Sequence, residues 1–278
     1  MRRDARNDRD RRREPGRLRL LTSGLRPLPD FLVIGAQRSG TTSLYRYLGQ
    51  HPLIEWARIK EVHYFDRAYA RGPRWYRAQF PLAISARTWL AGDASPYYMV
   101  HPQVPARAVD LVPQARLIAL LRNPVDRAYS HYQHTVARGH TDLSFEDALD
   151  FERQIADVEV QRLAAEPTYR SLLHEWHSYV TRGHYAEQLE RWLEHFPRER
   201  LHVIVSEQMF ADPNRALRGV ADFLGLPPHE VESPQQMVKR GTYAGQMDSL
   251  TRERLVEHFR PHNRRLEQLL GLELGWDS

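Results

Sequence analysis

Apolar residues run unbroken through Phe31-Leu-Val-Ile34 and stop at Gly35, after which Ser43 to Gln50 spaces its apolar positions as a helix does. A short apolar run bounded by glycine suits a strand buried on both faces, so this stretch predicts strand, loop and helix. Thr88-Trp-Leu-Ala91, Leu117-Ile-Ala-Leu-Leu121 and Leu201-His-Val-Ile-Val205 are further strand candidates, accompanied by amphipathic segments such as Tyr185 to Phe196 and Asn214 to Leu224. That alternation predicts an α/β fold with a parallel sheet flanked by helices. Thr141 to Tyr179 is mostly helical in period, whereas Leu226 to Gln246 carries turn residues without a period and reads as a long functional loop.

The 278 residues suffice for one sizeable core, and nothing divides them into two comparable units. Arg2 to Arg19 interleaves Arg with Asp and offers few apolar residues to pack, so residues 1–26 are expected to form a disordered basic tail, and 27–278 the folded domain. The tail lacks the apolar centre of a secretory signal, and no apolar run nears the roughly 20 residues that cross a bilayer. Membrane insertion is therefore not expected, and the cytoplasm is the default location. Without cysteine, disulfides, thiolate metal sites and cysteine nucleophiles are excluded. A net charge of +5 attracts nucleic acid, an anionic surface or an anionic small molecule alike and does not choose among them.

Candidate chemistry narrows the choice. In Gly35-Ala-Gln-Arg38-Ser39-Gly40-Thr41-Thr42 the two glycines have the separation of a phosphate-cradling loop, in which backbone N–H groups converge at a helix N-terminus. A nucleotide hydrolase would carry Lys after the second glycine, but Thr41 stands there and the cation is Arg38, inside the loop. A second anion site is expected where Leu117 to Leu121 ends at Arg122-Asn-Pro124, since Pro124 suits a first helical turn and Ser130 then lies about two turns along. A magnesium-dependent enzyme would be expected to place Asp at that strand end. Arg122 with a hydroxyl instead makes a phosphate pocket that needs no metal, and none is expected. Taken singly, each motif also admits a plain reading, a glycine turn or a solvated arginine.

Together the two motifs resemble those of the PAPS-dependent sulfotransferases (PAPS, 3′-phosphoadenosine 5′-phosphosulfate), especially the branch of heparan sulfate N- and O-sulfotransferases and their bacterial relatives. Residues 35–44 are similar to that family's 5′-phosphosulfate loop, and Leu120-Leu-Arg122-Asn-Pro124 through Ser130 to its 3′-phosphate motif. Lys60-Glu-Val-His-Tyr-Phe-Asp66, Gly183-His-Tyr185, Phe223-Leu-Gly225, Lys239-Arg-Gly-Thr-Tyr243 and Phe259-Arg-Pro-His-Asn263 extend the likeness from about Asp30 to the C-terminus.

The resemblance implies a P-loop-NTPase-like fold and in-line transfer of a sulfuryl group from PAPS to a hydroxyl or amine. It makes Glu61 the general base, with Lys60 and His63 beside it, and Arg38 the cation that covers charge on the breaking bond. Ser39, Gly40, Thr41, Thr42 and Ser43 would hold the 5′-phosphate with Arg38, and Arg122 and Ser130 the 3′-phosphate. Lys239, Arg240, Gly241, Thr242 and Tyr243 would close over the nucleotide. The heparan enzymes carry Lys before the Ser of Gly92-Asp-Ala94-Ser95-Pro96, where this chain has Ala94, which favours another sugar, a glycolipid or a secondary metabolite as acceptor. A small-molecule kinase and a nucleic-acid-binding module are the alternatives, the first needing magnesium, the second showing steep salt dependence; no nucleic-acid partner is expected.

Overall fold

The computed structural model describes residues 14–83, 87–231 and 245–277. In chain order the elements are α1 (Arg17–Leu21), β1 (Phe31–Gly35), α2 (Thr41–Leu48), β2 (Ile54–Trp56), α3 (Tyr64–Arg67), α4 (Gly72–Arg77), β3 (Leu90–Ala94), α5 (Val104–Leu111) and β4 (Arg116–Leu121). They continue with α6 (Pro124–Ala137), α7 (Phe145–Ala165), α8 (Leu172–His177), α9 (Tyr185–Leu193), β5 (Leu201–Val205), α10 (Ser206–Ala211), α11 (Pro213–Leu224) and α12 (Ser249–Leu270).

All strand pairs are parallel, in the order β2-β3-β1-β4-β5. The parallel sheet expected from the sequence is present, with one strand, β2, that was not expected. Every residue of β1 is buried, because successive side chains enter opposite layers. Leu32 and Ile34 pack with Leu117, Leu121, Leu189 and Trp192 on one side, while Phe31 and Val33 pack with Ile118, Leu120, Leu217 and Val220 on the other. β1 lies at the centre, so its carboxyl end opens beside those of β3 and β4. The segments that leave β1 and β4, with the one that leaves β2 and lies against the end of β3, carry the candidate site, as expected where parallel strands turn away.

Four stretches depart from the sequence reading. The strand expected at Thr88 to Ala91 runs instead from Leu90 to Ala94, because pairing with β1 and β2 sets its extent. β2 is three residues long, too short to show a period. α12 has its buried Leu255, Phe259, Asn263, Leu266 and Leu270 three or four apart, a signal masked by Pro261 inside the helix. Finally, residues 17–26 are not a loose tail. Arg19 donates to the carbonyls of Ala78 (2.7 Å) and Phe80 (2.6 Å), and Arg26, 5% exposed, donates to Phe80 O at 2.6 Å. Guanidinium groups supply the anchoring that apolar residues do not. Residues 1–13 and 232–244, which include most of the expected functional loop, lie outside the described residues.

Candidate active site

The loop after β1 turns into α2 through Gly40, whose φ of 94° suits glycine; a Cβ there would stand 2.9 Å from Phe210 Cζ. Thr41 and Thr42 thus begin α2 at the sheet's carboxyl edge, where the N–H groups of the first turn and the helix dipole favour an anion. Across the cleft, Asn123 caps α6 by accepting from the N–H groups of Val125 (3.0 Å) and Asp126 (3.4 Å), with Pro124 in the first turn. This capping fixes the helix so that Ser130 faces inward, 1% exposed.

The two expected phosphate pockets are one continuous site. Arg38 Nε donates to Ser130 Oγ at 3.1 Å, and Arg122 Nη1 donates to the Arg38 carbonyl at 3.3 Å. Ser206 Oγ donates to the Ser39 carbonyl at 2.8 Å, which fixes the loop from β5's side. Arg182, 3% exposed, reaches the same loop by donating to Gln37 Oε1, while its other nitrogen donates to His174 O at 2.6 Å. Burial brings the Arg182 guanidinium down to about 10, still charged at neutral pH. Sequence reading missed this support because Arg182 lies 145 positions from Gln37 and carries no local motif.

The third wall is the segment from Lys60 to Asp66. Lys60 Nζ donates to Thr42 Oγ1 at 2.6 Å and lies 3.4 Å from Glu61 Oε1, so it joins the phosphate loop to the carboxylate. His63 Nε2 stands 3.5 Å from Glu61 Oε2, and its Nδ1 is 2.6 Å from Asp66 Oδ2. The backbone is pinned to β3, with Glu61 N donating to Ala94 O (3.1 Å) and His63 N to Ser95 Oγ (3.2 Å). Ser95 Oγ in turn donates to Asp93 Oδ1, while Tyr76 and Tyr98 hydroxyls donate to Oδ2, each at 2.9 Å. Asp66 and Asp93 are the residues whose roles sequence reading left unassigned. Both lie within quoted motifs, Asp66 in Lys60 to Asp66 and Asp93 in Gly92 to Pro96, but neither motif says what its aspartate holds.

These contacts decide the protonation of the carboxylate. Burial pushes Glu61 upward, but the hydrogen bond and charge of His63, then those of Lys60, outweigh it and bring Glu61 down to about 2. Burial lowers His63, yet Asp66 and Glu61 overcome it and raise the imidazole above its ordinary 6.5. The array is an imidazole between two carboxylates that bias it toward its charged form, Asp66 being itself held low although burial opposes it. Because Glu61 is lowered, its contribution to stability is present above its ordinary 4.5 and fades as pH falls toward 2. His63 is raised, so its contribution is full below 6.5 and disappears as pH rises through the folded value. The pair therefore stabilises the fold most between 4.5 and 6.5. His63→Gln is expected to move the acid limb of the kcat/KM profile to higher pH, since Glu61 loses the partner that lowers it most. An unmoved limb in that profile would detach the limb from Glu61.

Lys239, Arg240, Gly241, Thr242 and Tyr243 lie outside the described residues. The other predicted positions, Arg38 to Ser43, Lys60, Glu61, His63, Arg122 and Ser130, line or adjoin the strand-end cleft. Cations, hydroxyls and a helix N-terminus are the donors that a bisphosphorylated nucleotide requires.

Comparison with known proteins identifies the chemistry: the sulfotransferase domain family matches residues 28–262. The chain belongs to the sulfotransferase family. This sulfotransferase is 30% identical over 288 residues to mouse heparan sulfate glucosamine 3-O-sulfotransferase 3A1, covering 95% of the chain and 69% of that relative. It is 35% identical over 271 residues to human bifunctional heparan sulfate N-deacetylase/N-sulfotransferase 3, covering 87% of the chain but 30% of that relative. A solved sulfotransferase from Alicyclobacillus acidocaldarius superposes with a TM-score of 0.72 at 30% identity, over 91% of this chain and all of the other. The fold is accordingly P-loop-NTPase-like, and the protein is an enzyme of the class that takes its sulfuryl group from PAPS. The kinase reading falls with this assignment. No described helix of the sulfotransferase is long and apolar enough to cross a membrane.

Proposed function

We propose that this sulfotransferase moves the sulfuryl group of PAPS to a hydroxyl or amine of a saccharide-containing acceptor, with Glu61 as general base and Arg38 as the stabilising cation. Glu61 takes the acceptor's proton, the freed oxygen or nitrogen bonds to sulfur, and the bond from sulfur to the 5′-phosphate oxygen breaks. Adenosine 3′,5′-bisphosphate leaves with the electron pair. Arg38 cannot readily give up a proton, so its part is to balance charge on the departing oxygen. Thr41, Thr42 and Ser43 hold the 5′-phosphate; Arg122 and Ser130 take the 3′-phosphate, Ser130 exchanging Arg38 for the ligand.

One observation carries this reading. Among the described residues, the non-glycine positions with left-handed backbone are Arg38 (φ 72°), Glu61 (φ 60°) and His63 (φ 55°). Each such conformation costs about 1–3 kcal/mol and persists where surrounding contacts enforce it, typically at functional sites. Arg38 is the proposed cation, Glu61 the proposed base, and His63 the residue that sets the charge of Glu61.

The saccharide class follows from the relatives, whose names give heparan sulfate as their substrate. Ala94 places no cation beneath Glu61, where the chain's own carbonyl meets the Glu61 N–H. That favours an acceptor less densely anionic than heparan, such as a neutral sugar or glycolipid.

Two measurements test the proposal. Calorimetry in chelator is expected to show adenosine 3′,5′-bisphosphate binding, with Arg122→Ala weakening it about 10–100-fold, the scale of a charged hydrogen bond. Adenosine 5′-phosphate should lose about threefold or less, because it lacks the group Arg122 holds. Equal losses for both nucleotides would remove Arg122 from the 3′-phosphate site. An acceptor screen with isotopically labelled PAPS, read by mass, should label neutral saccharides or glycolipids; label confined to non-carbohydrate acceptors would overturn the acceptor class.

A further inference from the structure

Away from the cleft, three histidines converge where α12 crosses the start of α9. His184 stands immediately before α9, and His258 and His262 lie four apart on α12, hence on one face. His184 Nε2 is 3.0 Å from His258 Nε2, and one ring nitrogen from each of the three falls within 4.8 Å of the others. No other group of three histidine or carboxylate ligands is so disposed among the described residues. Sequence reading noted His184 and His262 only as parts of longer motifs.

We propose that His184, His258 and His262 bind a divalent transition metal, zinc being the ion that best suits the ligand set, and that the metal fastens α12 to the body of the domain. A tetrahedral centre with metal–nitrogen bonds of about 2.0–2.1 Å separates its ligand nitrogens by about 3.3 Å, close to the His184–His258 spacing. The His262 ring stacks on His184 at 3.9 Å and 7°, so both cannot aim at one ion as they stand. Turning His262 about its terminal torsion, which is soft in histidine, brings its nitrogen into the group. Glu187, one turn along α9, has Oε1 at 3.7 Å from His262 Nδ1 and 3.9 Å from Arg265. It supplies the carboxylate that commonly orients a ligating imidazole, or takes the fourth position.

One of the two Nε2 atoms carries the hydrogen of their 3.0 Å contact, so taking up an ion moves that ring's proton to Nδ1 and turns both Nε2 lone pairs toward the metal.

The location gives the metal a mechanical role. Gly183 precedes His184, and a Cβ there would come within 2.6 Å of Phe259 in α12 and 2.9 Å of Pro124, the first residue of α6. The junction of α9 and α12 is thus wedged against the helix that carries Ser130. A side chain at position 183 would force Phe259 or Pro124 to shift, whereas a coordinated ion locks the contact without adding bulk.

The experiment uses untagged full-length protein stripped with chelator. Titration with Zn²⁺ by calorimetry is expected to show one saturable equivalent, and Co²⁺ to give the visible absorption of a tetrahedral centre. The melting temperature should rise by about 5–10 °C at a hundredfold excess of zinc over its Kd. His258→Gln changes an exposed helix position and loses one hydrogen bond, so its melting temperature in chelator should fall by about 4 °C at most; it should abolish both the zinc equivalent and the cobalt spectrum. Glu187→Gln should weaken zinc about 10–100-fold. His195→Gln, outside the group, should bind as the native chain does. The proposal is overturned if the native protein shows no saturable zinc binding, or if His258→Gln and His184→Gln each retain the full equivalent.

Discussion

Arg38→Ala is expected to lower kcat for sulfuryl transfer about 10²–10³-fold, the range found when a single donor to developing charge is removed. The loss should fall on kcat because charge on the bridging oxygen grows only as the bond to sulfur breaks. Arg38 is held in an unfavourable backbone conformation by contacts from the end of β4 and from α6, Arg122 on its carbonyl and Ser130 on its guanidinium. Arg38→Gly suits that backbone better and lacks the charge; it should lose as much activity as Arg38→Ala, which separates charge from strain. Arg38→Lys keeps a cation and should recover most of the lost rate. Steady-state turnover with a true acceptor, beside calorimetry with adenosine 3′,5′-bisphosphate, checks these outcomes. A loss confined to nucleotide affinity would make Arg38 a binding residue only.

Glu61→Gln should reduce turnover about 100-fold or more while nucleotide affinity changes by about threefold or less. Glutamine keeps the size of the side chain and can still accept from Lys60, so the phosphate loop retains its neighbour. What disappears is the proton acceptor. The native carboxylate, at about 2, is ionised across the working range, so activity should not fall at mildly acidic pH for want of a base. Its basicity is correspondingly weak, and the adjoining His63–Asp66 pair tunes it through the charge on the imidazole. Undiminished turnover in Glu61→Gln would remove Glu61 from the mechanism, whatever its geometry.

The legible parts of the chain were those written in short stretches. β1, α2, β4 and β5 follow from apolar runs and helical spacing, and the loop from Gly35 to Thr42 announces an anion site by its glycines. α12 was overlooked because Pro261 argues against a helix locally, although its apolar spacing continues on both sides. Charge at Arg17 to Arg26 argues against packing, yet Arg19 and Arg26 reach backbone carbonyls on a neighbouring turn. Glu61 illustrates the limit most clearly. Adjacent Lys60 argues for a lowered pKa and burial for a raised one, and no local rule weighs the two.

The sequence by itself determined the alternation of strands and helices, the two anion motifs and the residue types available for transfer, because each depends on neighbours within a few positions. Only the tertiary structure decided that Arg38 and Ser130, 92 positions apart, share one site. It also decided that His63 tips the balance at Glu61, and that His184 meets His258 across 74 positions. Those relations depend on which strand ends lie side by side and which helix faces meet, and long-range packing sets both.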